Sequence, residues 1–244
     1  GAGIGGSYKT PAGSITIINS LVEASAGAGG AGIGSGSEAT PGGSLVIDGG
    51  EISATGDTGA GIGSGYQSPA IPITITNATV RAWGGMASAG IGNGYQSTST
   101  PTIRIESADV EAYGGQGGAG IGGHTTPTGG VIDLIDSTVL AAGRDGAAGI
   151  GGGSGLQATG GGGGTITIDG GDITAAGDYG AAAIGGAVAG AAGTIHIKRG
   201  TVNVTGGQAG AANWQTGQGA FQSALQAPHC RCLLCRRGGG GGGG

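Results

Sequence analysis

Ile4, Ile33, Ile62, Ile91, Ile121, Ile150 and Ile184 each sit in an A-G-I-G or A-A-I-G context, and the steps between them are 29, 29, 29, 30, 29 and 34 residues. So regular a period is the mark of a repeat architecture in which each unit stacks on the next. A second pattern, I-x-I-x-x-x-x-[VI]-x-[AV], recurs inside every turn. It is read at Ile15/Ile17/Val22/Ala24 and at Ile195/Ile197/Val202/Val204, with copies beginning at Leu45, Ile73, Ile103, Ile132 and Ile166. Alternation of this kind is the period-two signal of strands. The chain is therefore expected to be all-β, a parallel β-solenoid (β-helix) of seven turns of about 29 residues. Each turn holds three short strands separated by Gly-rich bends. The first Ile, the second Ile and the following Val of each turn point inward and form columns along the stack, so Ile15, Ile47, Ile75, Ile105, Ile168 and Val202 should be buried. With rungs about 4.8 Å apart, seven turns make a rod roughly 34 Å long. The crossover rule for parallel strands favours a right-handed coil.

Composition removes the competing classes. With 67 glycines and one phenylalanine in 244 residues, no ordinary globular core can be built. Collagen needs Gly at every third position and disorder needs few β-branched residues, and neither holds. No stretch of helical length escapes Gly or Pro. The net charge is −5, but three arginines and no acid lie beyond Asn213, so the part before it carries 14 acids against 6 bases, or −8. That balance disfavours a nucleic-acid partner, since phosphate binding rests on a basic surface. No apolar stretch is long enough to span a bilayer, so no membrane insertion is expected. No signal-like segment opens the chain, which begins without Met inside a repeat. Gly1-Ala2-Gly3-Ile4-Gly5-Gly6 matches the dinucleotide fingerprint G-x-G-x-x-G. That fingerprint works only between a strand and a helix, whereas near-copies recur here in every turn without one. No cofactor is implied.

The G-A-G-I-G repeats, alternating with I-x-I-x-G-G-x-I-x-A strands as at Ile166 to Ala175, resemble a broad group of bacterial extracellular glycine-rich β-solenoid proteins. The resemblance implies an extracellular or cell-surface protein of adhesin or carbohydrate-binding type. It covers about residues 1 to 212, the β-solenoid repeat domain. Residues 213–244 form a non-repetitive tail that holds all three cysteines and reads as disordered or as a truncation artefact. Its His229-Cys230-Arg231-Cys232-Leu233-Leu234-Cys235 run offers soft ligands, but zinc wants separated ligand pairs joined by a folded loop, so no metal site is assigned. Neither end of the repeats carries a polar cap. A longer rod, or end-to-end self-association into a fibre, is the expectation that follows.

Insertions in repeat proteins collect on one face, often the binding face, and the extra residues of the 34-residue turn are placed between Gly155 and Gly164. That directs attention to the bend after each G-I-G segment, where Tyr8, Tyr66 and Tyr95 recur and where Gly-Tyr-Gln-Ser is duplicated at 65–68 and 94–97. Trp83 and Tyr113 share a second column of the same two turns. Tyr66, Gln67, Tyr95, Gln96, Trp83 and Tyr113 are thus the candidate carbohydrate-binding residues, aromatic platforms beside polar groups. Stacked aromatics that only stabilise neighbouring rungs are the competing account.

The pairs Asp48/Glu51, Glu106/Asp109 and Asp169/Asp172 match on turns two, four and six, with Thr76/Thr79 and Lys198/Thr201 in the same places on turns three and seven. Calcium wants six or more oxygens at one point, so a solvated face is the better account. The alternative function is a polysaccharide-degrading lyase or hydrolase on the same fold. Arg81 and Arg104 lie near Glu106 and Glu111, but opposite charges on adjacent rungs read as exposed ion pairs. His124 and His196 have no recognisable catalytic partner, so no catalytic residue is assigned. Ice binding is excluded by the irregular outward column Thr16, Val46, Thr74, Arg104, Asp133, Thr167, His196.

Overall fold

Period-two alternation sends every second side chain to one face, and the 29-residue period lays equivalent segments side by side. The computed structural model describes residues 1–97, 99–124, 129–154 and 160–208. Within them every regular element is a β-strand, and no helix is long and apolar enough to cross a membrane. In chain order the first two turns comprise β1 (Ile4–Gly5), β2 (Ser14–Ser25), β3 (Ile33–Gly34) and β4 (Ser44–Thr55). The third and fourth comprise β5 (Ile62–Gly63), β6 (Ile73–Thr76), β7 (Thr79–Trp83), β8 (Ile91–Gly92), β9 (Thr102–Glu106) and β10 (Asp109–Tyr113). The last three comprise β11 (Ile121–Gly122), β12 (Val131–Ala142), β13 (Ile150–Gly151), β14 (Thr165–Ala176), β15 (Ile184–Gly185) and β16 (Thr194–Thr205).

The two-residue Ile-Gly strands form one parallel sheet in the order β1-β3-β5-β8-β11-β13-β15, with Ile over Ile and Gly over Gly throughout. The longer strands form a second parallel sheet, rung upon rung from β2 to β16. The chain is a parallel β-solenoid of seven turns. Each turn has three strand segments, but in five turns the second and third run on as one 12-residue strand. Between those segments the backbone turns through a left-handed residue: Asn19 (φ 44°), Asn77 (φ 53°), Ser107 (φ 51°) and Asp136 (φ 45°). Asn, Asp and Gly tolerate that conformation best, which is why the corner is written with them.

Inward columns make the core. Ile33, Ile62, Ile91, Ile121 and Ile150 are fully buried, as are Ile47, Ile75, Ile105 and Ile168, and Val202 is buried too. The end turns are the exceptions: Ile4 is 36% exposed and Ile15, Ile195 and Ile197 are only half-buried, because β1, β2 and β16 each pair with one neighbouring strand among the described residues. On the Ile-Gly wall the rungs meet backbone to backbone. Gly34 has φ 140°, and a Cβ there would collide with the carbonyl oxygen of Gly63 on the next turn. The wall is thus closed to any side chain at that column. Residues 155–159 of the segment between Gly155 and Gly164 to which the insertion is assigned, and the tail 213–244 with its cysteines and His229, lie outside the described residues.

Candidate functional site

The outward column that ends the third segment reads Ser25, Thr55, Trp83, Tyr113, Ala142, Ala176, Thr205, in register from rung to rung. Only its third and fourth positions are large. Their rings lie nearly parallel, 12° between planes and 6.1 Å between centroids, so they present a continuous flat surface bounded by Thr55 and Ala142. Trp83 is 36% exposed and Tyr113 half-buried. Past the strand ends the backbone continues as Gly84-Gly85, Gly114-Gly115 and Gly143, which have no side chains to cover the rings. Together Trp83, Gly84, Tyr113, Gly114, Gly115, Ala142, Gly143 and Arg144 line a shallow open cavity of about 340 Å³.

Polar groups border this surface on the strand side. Tyr113 Oη donates to Glu111 Oε2 at 3.3 Å, and Arg81 lies between Glu111 (3.5 Å) and Glu51 (3.7 Å) on the rungs above and below. Burial, with the Glu111 carboxylate adding to it, raises the Tyr113 phenol above its ordinary value. Tyr113 therefore remains a neutral hydroxyl at physiological pH.

A second aromatic column lies in the bend after the Ile-Gly strands. Tyr66 and Tyr95 are 5.7 Å apart between centroids with a 35° tilt, and Tyr95 meets His124 edge-on at 5.2 Å and 72°. Tyr95 is held from the backbone: its amide donates to Ser88 Oγ at 2.8 Å, and Ser88 in turn donates to the Thr58 carbonyl. Beside the rings, Gln67 Nε2 donates to Gln96 Oε1 at 2.8 Å, both residues left-handed at φ 51° and 56°. His124 is buried, and burial pushes its pKa down to about 4.

The six sequence candidates therefore fall into two constellations rather than one. Trp83 and Tyr113 share the cavity, while Tyr66, Gln67, Tyr95 and Gln96 belong to a separate ladder that does not line it. Tyr66 and Tyr95 are tilted 35° to each other, so their faces do not form one flat surface as those of Trp83 and Tyr113 do. Several of the acids have nearby partners. Asp48 accepts from Thr76 and Asn77, both at 3.0 Å, which holds its carboxyl below the usual value. Arg104 pairs with Glu106 on its own strand at 2.8 Å. A register shift in β16 corrects one assignment: Arg199, not Lys198, stands opposite Asp169. Among the described residues no group of three or more His, Cys, Asp or Glu is placed to hold a metal ion.

Two functional neighbours escape sequence reading. His124 falls three, not four, residues after Ile121, so counting from that landmark lands on Thr125 and misses the ladder. Arg144 lies beyond the last strand position of its turn, where no column rule reaches it, yet it lines the aromatic cavity. No family model, curated protein or solved structure matches this chain.

Proposed function

We propose that the chain is a noncatalytic extracellular or cell-surface repeat segment of the bacterial glycine-rich β-solenoid type, and that it binds carbohydrate on the Trp83–Tyr113 surface. The observation that carries this reading is the near-parallel pair of rings, 12° apart, open to solvent over a floor of glycine backbone. A pyranose ring presents flat C–H faces that pack on aromatic planes, and its hydroxyls find the Tyr113 hydroxyl, Glu111 and Arg81 at the border. Exposed large apolar groups set among polar ones are a mark of binding surfaces. The noncatalytic part of the proposal rests on the repeat pattern, in which no catalytic constellation is recognised. Glycoside hydrolysis requires two carboxylates flanking the scissile bond.

Stacking of further rungs on the open edge of β1 and β2 belongs to the same proposal, with a longer rod or a second copy as the source of the rung. A glycan array read with the intact chain and with Trp83→Ala tests the binding reading. Retained binding in the variant, or no binding by either, overturns it.

A further inference from the structure

The 14 Asp and Glu side chains of the chain all lie among the described residues, so the pairing of its cations with them can be followed there. Six Lys and Arg residues occur in the described solenoid. Lys9 pairs with Glu38, Arg81 with Glu51 and Glu111, Arg104 with Glu106, Lys198 with Asp169, and Arg199 with Asp136 and Asp169. Arg144 alone among them makes no ion pair, and its guanidinium makes no hydrogen bond within the described residues. It is also the one charged residue lining the aromatic cavity.

That coincidence is chemically specific. An arginine costs side-chain entropy to hold still, and on this acidic surface five of six cations are committed to carboxylates. The sixth is exposed and lines the cavity with Tyr113 and Ala142, and its five donors meet no protein acceptor among the described residues. The missing complement is an anion presented beside a flat ring. We propose that the Trp83–Tyr113 cavity takes an anionic saccharide, its sugar face on the two aromatic rings and its carboxylate or sulfate on the Arg144 guanidinium. This rests on the carbohydrate reading above and specifies the ligand class.

Small size at Ala142 makes the geometry possible. In the Trp83–Tyr113 column the aromatic wall steps down to a methyl group at Ala142, which opens the path from the ring face to Arg144, two residues further along the chain. The Glu111 carboxylate lies on the opposite, strand side of Tyr113, engaged by the Tyr113 hydroxyl and Arg81. A ligand laid across the rings thus meets its cation on one border and hydroxyl partners on the other. Fork-on-fork pairing with a carboxylate is the geometry that arginine serves best.

The test uses the full chain and calorimetric titration with three oligosaccharides of equal length: a uronate oligomer, the same oligomer with its carboxyls reduced to alcohols, and a sulfated one. The uronate should bind about ten-fold tighter than its reduced form at low salt, the order of one charge-assisted pair. That margin should shrink as ionic strength rises. Arg144→Gln, at an exposed position where loss of fold is not expected, should erase the margin between the uronate and its reduced form. Stronger binding of the sulfated oligomer, equally lost in Arg144→Gln, supports the same site with sulfate as the anion. Equal binding of acidic and reduced forms, or a margin that survives Arg144→Gln, overturns the anion site and leaves the carbohydrate reading standing. Failure of all three to bind overturns both.

Discussion

Arg199 grips Asp136 from two rungs away, its Nη1 and Nη2 standing 2.6 and 2.9 Å from the two carboxylate oxygens. Between them lies the rung of Asp169 and Gly170, and Arg199 Nε also bonds Asp169 Oδ1 at 2.7 Å. The strap passes because Gly170 has no side chain. A Cβ there would collide with Asp136 Oδ1 and come within 2.8 Å of Arg199 Nη1.

Gly170→Ala should therefore be more damaging than loss of the strap itself. The substitution displaces the Asp136 and Arg199 side-chain ends and, more costly, puts a side chain on a backbone at φ 99°, a region that costs a non-glycine residue about 1–3 kcal/mol. Arg199→Ala should barely move the denaturation midpoint, because both partners are about half exposed and such pairs contribute little. Urea melts of the two variants decide it. Equal midpoint shifts would mean that the ion pair, not backbone geometry, holds this corner.

The first rung, paired on one side alone, should be less costly to disturb than the middle of the stack. Ile91 is fully buried between rungs, so Ile91→Ala should cost about 2–5 kcal/mol. Ile4→Ala, at 36% exposure beside a single neighbour, should cost well under half of that. Hydrogen exchange should show the same gradient, with β1 amides opening before those of β8. Uniform protection along the stack would contradict it.

His124 makes stability depend on pH in a defined window. An unfolded histidine takes up its proton near 6.5, whereas the folded one, disfavoured by burial, does so only near 4. Between those values the unfolded state binds more protons. The contribution is complete above pH 6.5 and is lost as pH falls toward 4, amounting to about 3 kcal/mol over the whole window. His124→Phe keeps a ring edge against Tyr95 and should flatten that limb of the stability curve. A measured His124 pKa near 6.5 by NMR titration would remove the basis of this prediction.

The fold was legible because its determinants are periodic. Each Ile-Gly strand is too short to be recognised alone, yet seven in register announce themselves through spacing. The corner was less legible, since its left-handed residue is Asn, Ser, Asp or Gly in different turns and the Lys198/Arg199 bulge shifts register without any repeat-length cue. The site was legible by columns and illegible across them. Trp83 and Tyr113 share a column and stack as spacing implies. Arg144 comes to the same surface past the end of β12, where the column rule ends.

The two aromatic columns should separate cleanly by function. Tyr66, half-buried and in contact with Tyr95, supports neighbouring rungs, so Tyr66→Ala should lower stability by about 1–2 kcal/mol from lost packing while leaving glycan binding within two-fold. Trp83 projects from the end of β7 onto solvent, with Thr55 on one side and Tyr113 on the other. Trp83→Ala should thus remove ten-fold or more in affinity, on the order of 1.4 kcal/mol, with a smaller change in melting midpoint. Thermal melts and binding titrations on the same two preparations give four numbers. The reverse pattern, with binding lost in Tyr66→Ala and kept in Trp83→Ala, would move the site to the Tyr66–Tyr95 bend and its Gln67–Gln96 ladder.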